Sequence, residues 1–323
     1  MGPADVAAAL GTDATVEALR RVFQSDVQAP QRHHHHIAAR SGGSDGTMLL
    51  MPAWDGQSYL GVKVVNVFPD NGALGLPAVQ GVYLLFNGRT GVPLATIDGG
   101  ELTARRTAAA SALAASYLAR ADAENLLVVG TGRLSFYLAA AHAAVRTIRR
   151  IAVWGRDPAK ASSVVVRLRA AGHDAEVSND LAASVAGSDI ISCATLSRTP
   201  LVRGEWLRPG THLDLVGGFT PQMRETDDTA IRRSSVFIDT KGARVEAGDI
   251  AAPLASGALQ PGDIRGDLYA LTRGMHPGRV SESELTLFKS VGAAEEDLAA
   301  AILAYEHFCA AHPSETVPGP TTA

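Results

Sequence analysis

Apolar positions along the chain follow two patterns, one on either side of a long alanine-rich helix expected from about Glu101 to Arg120. Before that helix, an apolar helical pattern begins near Thr15. Strand-like runs follow at Thr47–Trp54, Tyr59–Phe68, Gln80–Asn87 and Pro93–Ile97, separated by Gly, Pro, Asp and Asn. Consecutive strands without intervening helices imply an antiparallel or mixed sheet. After the helix, apolar strands near residues 126–130, 150–155, 175–178, 189–195, 212–217 and 235–239 alternate with helical stretches, the signature of a doubly wound parallel sheet. Beyond Gly266 comes an exposed, turn-rich passage, then the run Leu285–Gly292 and a final helix from about Ala294 to Ala311. The tail from Pro313 onward reads as disordered. The fold class is therefore α/β, a Rossmann domain over residues 118–295 joined to an α+β domain made of residues 1–117 and 296–323.

The first strand of the second pattern leads into Leu126-Leu-Val-Val-Gly-Thr-Gly-Arg-Leu-Ser135, and a second strand follows at Arg150-Ile-Ala-Val-Trp-Gly-Arg156. Strand, glycine turn, helix and strand at this spacing form a dinucleotide-binding start. Gly130 allows the tight turn, Gly132 lets a pyrophosphate approach the backbone, and the helix entered through Thr131, Arg133 and Leu134 points its positive end at that anion. Ser135 stands where a third small residue is usual. An NAD site commonly places Asp or Glu about 20 residues past the glycines to hold the ribose hydroxyls. Here Gly155 supplies no carboxylate and Arg156 offers a planar fork suited to a 2′-phosphate, so NADP(H) is expected to be preferred, with NAD(H) as the alternative. A surface pair between Arg156 and Asp157 is the competing role for that arginine.

At 323 residues, with 46% hydrophobic and 19% charged residues, the chain has ample core for two domains. A net charge of −4 and the lack of a basic stripe leave no nucleic-acid footprint. Cys193 and Cys309 lie far apart with no CxxC pattern, which argues for a reducing compartment and against a structural zinc site. Cys193, in an apolar run, reads as a buried strand residue. No basic-then-apolar leader begins the sequence and no apolar run is long enough to span a membrane, so a cytoplasmic protein is expected. The run His33-His34-His35-His36 would alternate between faces of an extended segment, so it reads as a polar loop or strand and no metal site is expected.

Gly61-Val-Lys-Val-Val-Asn66, Gly75-Leu-Pro-Ala-Val79, Leu102-Thr-Ala-Arg-Arg-Thr-Ala108, Gly130-Thr-Gly132 and Phe288-Lys-Ser-Val-Gly-Ala-Ala294 together resemble the ornithine cyclodeaminase/μ-crystallin family, in the right order over nearly the whole chain. The resemblance implies a homodimer whose first domain forms the subunit interface and half of the substrate site, with the last helix returning to that domain. The strand-rich first half, lacking covering helices of its own, points to a partner independently. The resemblance also implies that Arg32, Lys63 and Arg106 surround a substrate carboxylate, a task suited to an arginine fork or an ammonium. Lys63 stands in an otherwise apolar strand, where an unpaired cation is costly. A solvated strand lysine, a solvated helix arginine and a loop arginine are the respective alternatives.

The chain departs from the deaminating members of that family. Their catalytic aspartate after a Gly-Gly pair is matched here by Phe219, an acidic residue that seats ornithine by Leu49, and a hydroxyl near the substrate by Ala78. Gly218-Phe-Thr-Pro-Gln-Met-Arg-Glu225 instead resembles the branch of Δ1-pyrroline-2-carboxylate and Δ1-piperideine-2-carboxylate reductases. The resemblance thus implies reduction of a small cyclic imino acid, a carboxylate-bearing ketimine, with the nicotinamide near Thr195, Val216-Gly217 and Ser290-Val291-Gly292. Lys63, Thr220 or water are the candidate donors of the imine proton. Ornithine cyclodeamination, alanine-type dehydrogenation, opine-like condensation and crystallin-like binding of NADPH without turnover are the rival functions.

Overall fold

Successive strands without a crossover helix pair with their neighbours in sequence, and those before residue 99 do so throughout. In the computed structural model, which describes residues 1–39 and 42–313, strands β1 (His33–Ile37), β2 (Gly46–Trp54), β3 (Tyr59–Val67), β4 (Val79–Asn87) and β5 (Pro93–Asp98) form one antiparallel sheet in sequence order. The disorder expected of the tail falls, from residue 314 on, outside the described residues. The four histidines form most of edge strand β1 and are exposed, which selects the strand over the loop. No cluster of potential metal ligands occurs among the described residues.

The two faces of this sheet differ. Met51, Ala53, Tyr83, Leu85 and Ile97 point to one face and are buried in a core shared with Val6 and Ala9 of the helix Pro3–Ala9 and with Leu298 and Ala301 of the helix Ala294–Ala311. The opposite face carries a three-by-three apolar grid in cross-strand register. Leu50, Val64 and Val82 form one row, Pro52, Val62 and Leu84 the next, and Trp54, Leu60 and Phe86 the third. All nine are partly exposed.

The second pattern folds as expected into an eight-stranded sheet in which every pairing is parallel. Its strands are β6 (Asn125–Val129), β7 (Arg150–Trp154), β8 (Ala175–Val177), β9 (Ile190–Cys193), β10 (His212–Leu215), β11 (Ser235–Ile238), β12 (Ile264–Asp267) and β13 (Thr286–Lys289), in the spatial order β12-β11-β13-β10-β9-β6-β7-β8. Alternate residues feed separate cores, Leu127, Val129 and Ile191 on one side and Leu126, Val128 and Ile190 on the other, as a sheet covered on both faces requires. Cys193 is buried in β9. The run Leu285–Gly292 supplies β13, inserted between β10 and β11, and β12 is a further, short strand at the edge.

Contacts divide the chain into one unit of Met1–Arg106 with Ala293–Ala323 and another of Thr107–Gly292, and the helix Gly99–Leu118 runs from the first into the second. No helix among the described residues is long and apolar enough to cross a membrane.

Candidate active site

At the end of β6 the backbone of Gly130 takes φ +127°, and a Cβ there would lie 2.6 Å from the Ala194 carbonyl oxygen. Only glycine makes this turn without strain. Around Gly132 the space is open, with nothing within 4 Å of an added Cβ. The helix Leu134–Val145 then begins with Arg133 at its N-cap and no side chain capping it, and a helix N-terminus after a glycine turn is the arrangement that binds phosphate. The fully buried Ser135 hydroxyl donates to the Gly130 carbonyl at 2.9 Å, so the residue in the third-glycine position braces the turn.

Beyond β7, a Cβ on Gly155 would meet the Thr131 methyl at 2.4 Å, so the glycine turn itself crowds this position. Arg156 is exposed and makes no ion pair among the described residues. Its neighbour Asp157 instead caps the helix Pro158–Ala170, accepting from the Ala159 N–H at 3.0 Å. The surface pair considered for Arg156 is therefore not made.

Thr195, Val216-Gly217 and Ser290-Val291-Gly292 follow the carboxyl ends of the adjacent strands β9, β10 and β13, the edge where doubly wound sheets bind ligands. Two buried carboxylates that sequence reasoning missed hold these turns. Asp239 accepts from the N–H groups of Val291 at 2.6 Å and Gly292 at 2.8 Å. Glu225 accepts from the backbone and hydroxyl of Thr195 at 2.7 and 2.9 Å and from Gly217 N–H at 2.8 Å. Thr220 lies further along the loop after β10, where its carbonyl accepts from Met223 and Gly248 N–H groups at 3.0 and 3.1 Å. Phe219, beside it, is 37% exposed.

In the other unit, the three basic residues come together. Lys63 in β3 is 2% exposed and Arg106 is 4% exposed. Met51, the register partner of Lys63, receives the Arg32 guanidinium at 3.9 Å on its sulfur. Arg32 is close enough for its charge to act on Lys63. The cations do not stand alone, as the sequence had left them. The Lys63 ammonium lies 2.7 and 2.6 Å from the two carboxylate oxygens of Asp297. Arg106 donates from Nε to Asp297 at 2.8 Å and from Nη1 to Glu296 at 2.7 Å.

Both carboxylates sit in the first turn of the helix Ala294–Ala311, where the helix dipole favours negative charge. Burial, then the charge of Arg106, pushes Lys63 down to about 8 against the opposing pull of Asp297, and Arg32 pushes the same way. Arg106 behaves differently, because Asp297 and Glu296 outweigh its burial and raise it. Lys63 and Arg106 with Glu296 and Asp297 thus form a buried, mutually paired cluster, and the partly exposed Arg32 stands beside it. Tyr83, the cross-strand neighbour of Lys63, is fully buried, and its hydroxyl has no hydrogen-bond partner among the described residues. Leu49 lies in β2 and Ala78 just before β4.

The model of the ornithine cyclodeaminase/mu-crystallin family matches residues 5–312. A Δ1-pyrroline-2-carboxylate reductase of Paracoccus denitrificans is 42% identical over 80% of this chain and 82% of its own length. The solved structure of the Thermococcus litoralis Δ1-pyrroline-2-carboxylate reductase in complex with NADH and L-proline superposes with a TM-score of 0.90 at 32% identity, over 100% of this chain and 99% of that one. An archaeal alanine dehydrogenase dimer with bound NAD gives 0.89 at 26% identity, covering 98% of each chain. With its glycine turn, its antiparallel and parallel sheets and this match over residues 5–312, the chain belongs to the ornithine cyclodeaminase/mu-crystallin family.

Proposed function

We propose that this protein reduces small cyclic ketimines bearing a carboxylate, Δ1-pyrroline-2-carboxylate or Δ1-piperideine-2-carboxylate, to proline or pipecolate at the expense of a nicotinamide dinucleotide. The observation that carries the reading is the convergence of the partly exposed Arg32 with the buried Lys63 and Arg106, cationic side chains of the kind that bind a small carboxylate. The relatedness to reductases of this substrate class supports it.

The residues present fit a dinucleotide. Gly130 and Gly132 leave the approach open, and the uncapped helix at Leu134 takes the pyrophosphate. Arg156, free of Asp157, is assigned to a 2′-phosphate, which makes NADP(H) the preferred form over NAD(H). Thr195, Val216-Gly217 and Ser290–Gly292 are assigned to the nicotinamide end. When bound, the dinucleotide supplies a hydride to the imine carbon.

The chain's own residues do the rest. Arg32 and Arg106 hold the carboxylate, and a substrate so fixed needs little further rearrangement before reaction. Lys63, with a proton held at about 8, is the residue best suited to donate that proton from Nζ to the imine nitrogen, ahead of Thr220 or water. Lys63 then regains a proton from solvent and the product leaves as an amine.

The nine-residue apolar grid on the open face of the first sheet supports a homodimer, since a patch of this kind needs cover. With Cys193 and Cys309 both free, we assign the enzyme to the cytoplasm. The deciding assay follows the nicotinamide absorbance of NADPH with Δ1-pyrroline-2-carboxylate. Steady oxidation dependent on the imine is expected, and its absence with both NADPH and NADH refutes the proposal.

A further inference from the structure

The Gly217-Gly218 pair after β10 is packed against acids. A Cβ on Gly217 would come within 2.0 Å of the Thr195 carbonyl oxygen and 2.6 Å of the Glu225 carboxylate, and one on Gly218 within 2.7 Å of Asp249. Glu225 is fully buried, and its two oxygens divide their work. Oε1 takes the N–H and hydroxyl of Thr195, at 2.7 and 2.9 Å, and Oε2 takes the N–H groups of Gly217 and Gly218, at 2.8 and 3.3 Å. Four donors from the turns after two neighbouring strands thus converge on one side chain.

Behind it, Asp249 accepts from the N–H groups of Glu225 and Thr226 at 2.8 and 3.1 Å, and the buried Lys289 ammonium at the end of β13 lies 3.9 Å from Asp249. Burying this acid–acid–lysine group costs more than an apolar filling of the same space would. Burial raises Glu225 to about 7, with Lys289 opposing and Asp249 reinforcing. The position, at the carboxyl ends of β9, β10 and β13, is where such sheets bind ligands.

We infer that Glu225 is a positioning residue for the nicotinamide end of the dinucleotide, locking the Thr195 and Gly217-Gly218 turns into one preformed surface. This rests on the cofactor reading proposed above. Glu225 is not catalytic, because its oxygens are committed to the chain. Its effect is carried by the Thr195 and Gly217 backbones, which lose their alignment when an acceptor is lost.

The test uses full-length protein and compares two ligands in a binding titration. One is NADPH or NADH, whichever the wild type binds more tightly. The other is ADP-ribose, which lacks nicotinamide and is held by the Gly130–Leu134 turn. Glu225→Gln keeps the shape but turns one acceptor into a donor facing donors. It is expected to weaken the dinucleotide about tenfold or more while leaving ADP-ribose within about twofold. Thr195→Val removes the hydroxyl that donates to Glu225, along with its long contact from the Ser197 N–H, and should show the same selectivity at about threefold. A merely structural role would weaken both ligands in proportion, and that outcome, or an unchanged dinucleotide affinity in both variants, overturns the inference while leaving the cofactor reading intact. Wild-type protein that binds neither dinucleotide overturns both. Should Glu225→Gln fail to fold, Thr195→Val decides alone.

Discussion

A lysine in an apolar strand has a double meaning that only its partners resolve. Lys63 is held near Asp297 and Arg106, and burial first, then Arg106, lowers it from its ordinary range to about 8. The charged form is complete below that value and lost above it. Holding a carboxylate and giving up a proton both need the charged form, so activity on a cyclic imine should fall as pH rises through about 8. A profile of kcat/KM that stays flat to strongly alkaline pH counts against the assignment. Asp297 is the group propping the proton up, so Asp297→Asn should move this limb to lower pH, and a limb that does not move would separate Asp297 from the titration. Lys63→Met should cost at least about thirtyfold in kcat/KM, ~2 kcal/mol or more for loss of a buried charge partner. At Arg156, exposed and without an ion pair among the described residues, substitution by Ala should weaken NADPH about tenfold while sparing NADH. Equal loss for both cofactors would point to a general role in the turn.

At the level of elements, period and punctuation made most of the fold legible. The β6 run ends in Gly130-Thr-Gly132 and cannot be read as anything but a strand entering a turn, and the five consecutive strands of the first sheet are separated by breakers. What the sequence concealed was long-range pairing. Glu295-Glu296-Asp297 looks like the ordinary acidic first turn of a helix, a sufficient local reason for its charges, and nothing nearby shows that Asp297 meets Lys63 234 positions away. Glu225 lies in a polar loop among other charged residues, where an acid reads as solvated until the fold closes on it. Strand β12, four residues with only Ile264 buried, carries too little pattern to be seen. The open face of the first sheet is the converse case, apolar in every row although partly exposed. Val62 sits at the centre of that grid, between Pro52 and Leu84, so Val62→Lys should place a charge in any interface formed there and yield a monomer. Light scattering of wild type and variant at micromolar concentration tests this, and a wild type that is already monomeric removes the proposed dimer.

The whole molecule offers two chemistries to a family member, and the choice between them is written in a few side chains. Cyclodeamination of a linear diamino acid needs an acid or base to handle amines and a polar seat for a terminal ammonium. Leu49, packed against the core of the first unit, and Phe219, part-exposed after the Gly217-Gly218 pair, stand where the deaminating relatives are expected to carry carboxylates. Neither side chain can take a proton or hold an ammonium. An unpaired ammonium in an apolar setting costs on the order of several kcal/mol, which is roughly a thousandfold or more in transition-state binding. A compact ring with a single carboxylate asks only for cationic side chains such as Arg32, Lys63 and Arg106, of which Lys63 and Arg106 are buried. One purified sample should therefore reduce Δ1-pyrroline-2-carboxylate with NADPH and form negligible proline from ornithine with NAD. Lys63→Ala and Arg106→Ala serve as controls that must abolish the imine reaction if the cluster binds the carboxylate. Vigorous ornithine turnover, or imine reduction surviving both substitutions, would overturn this reading of the side chains and return the chain to the deaminating branch of its family.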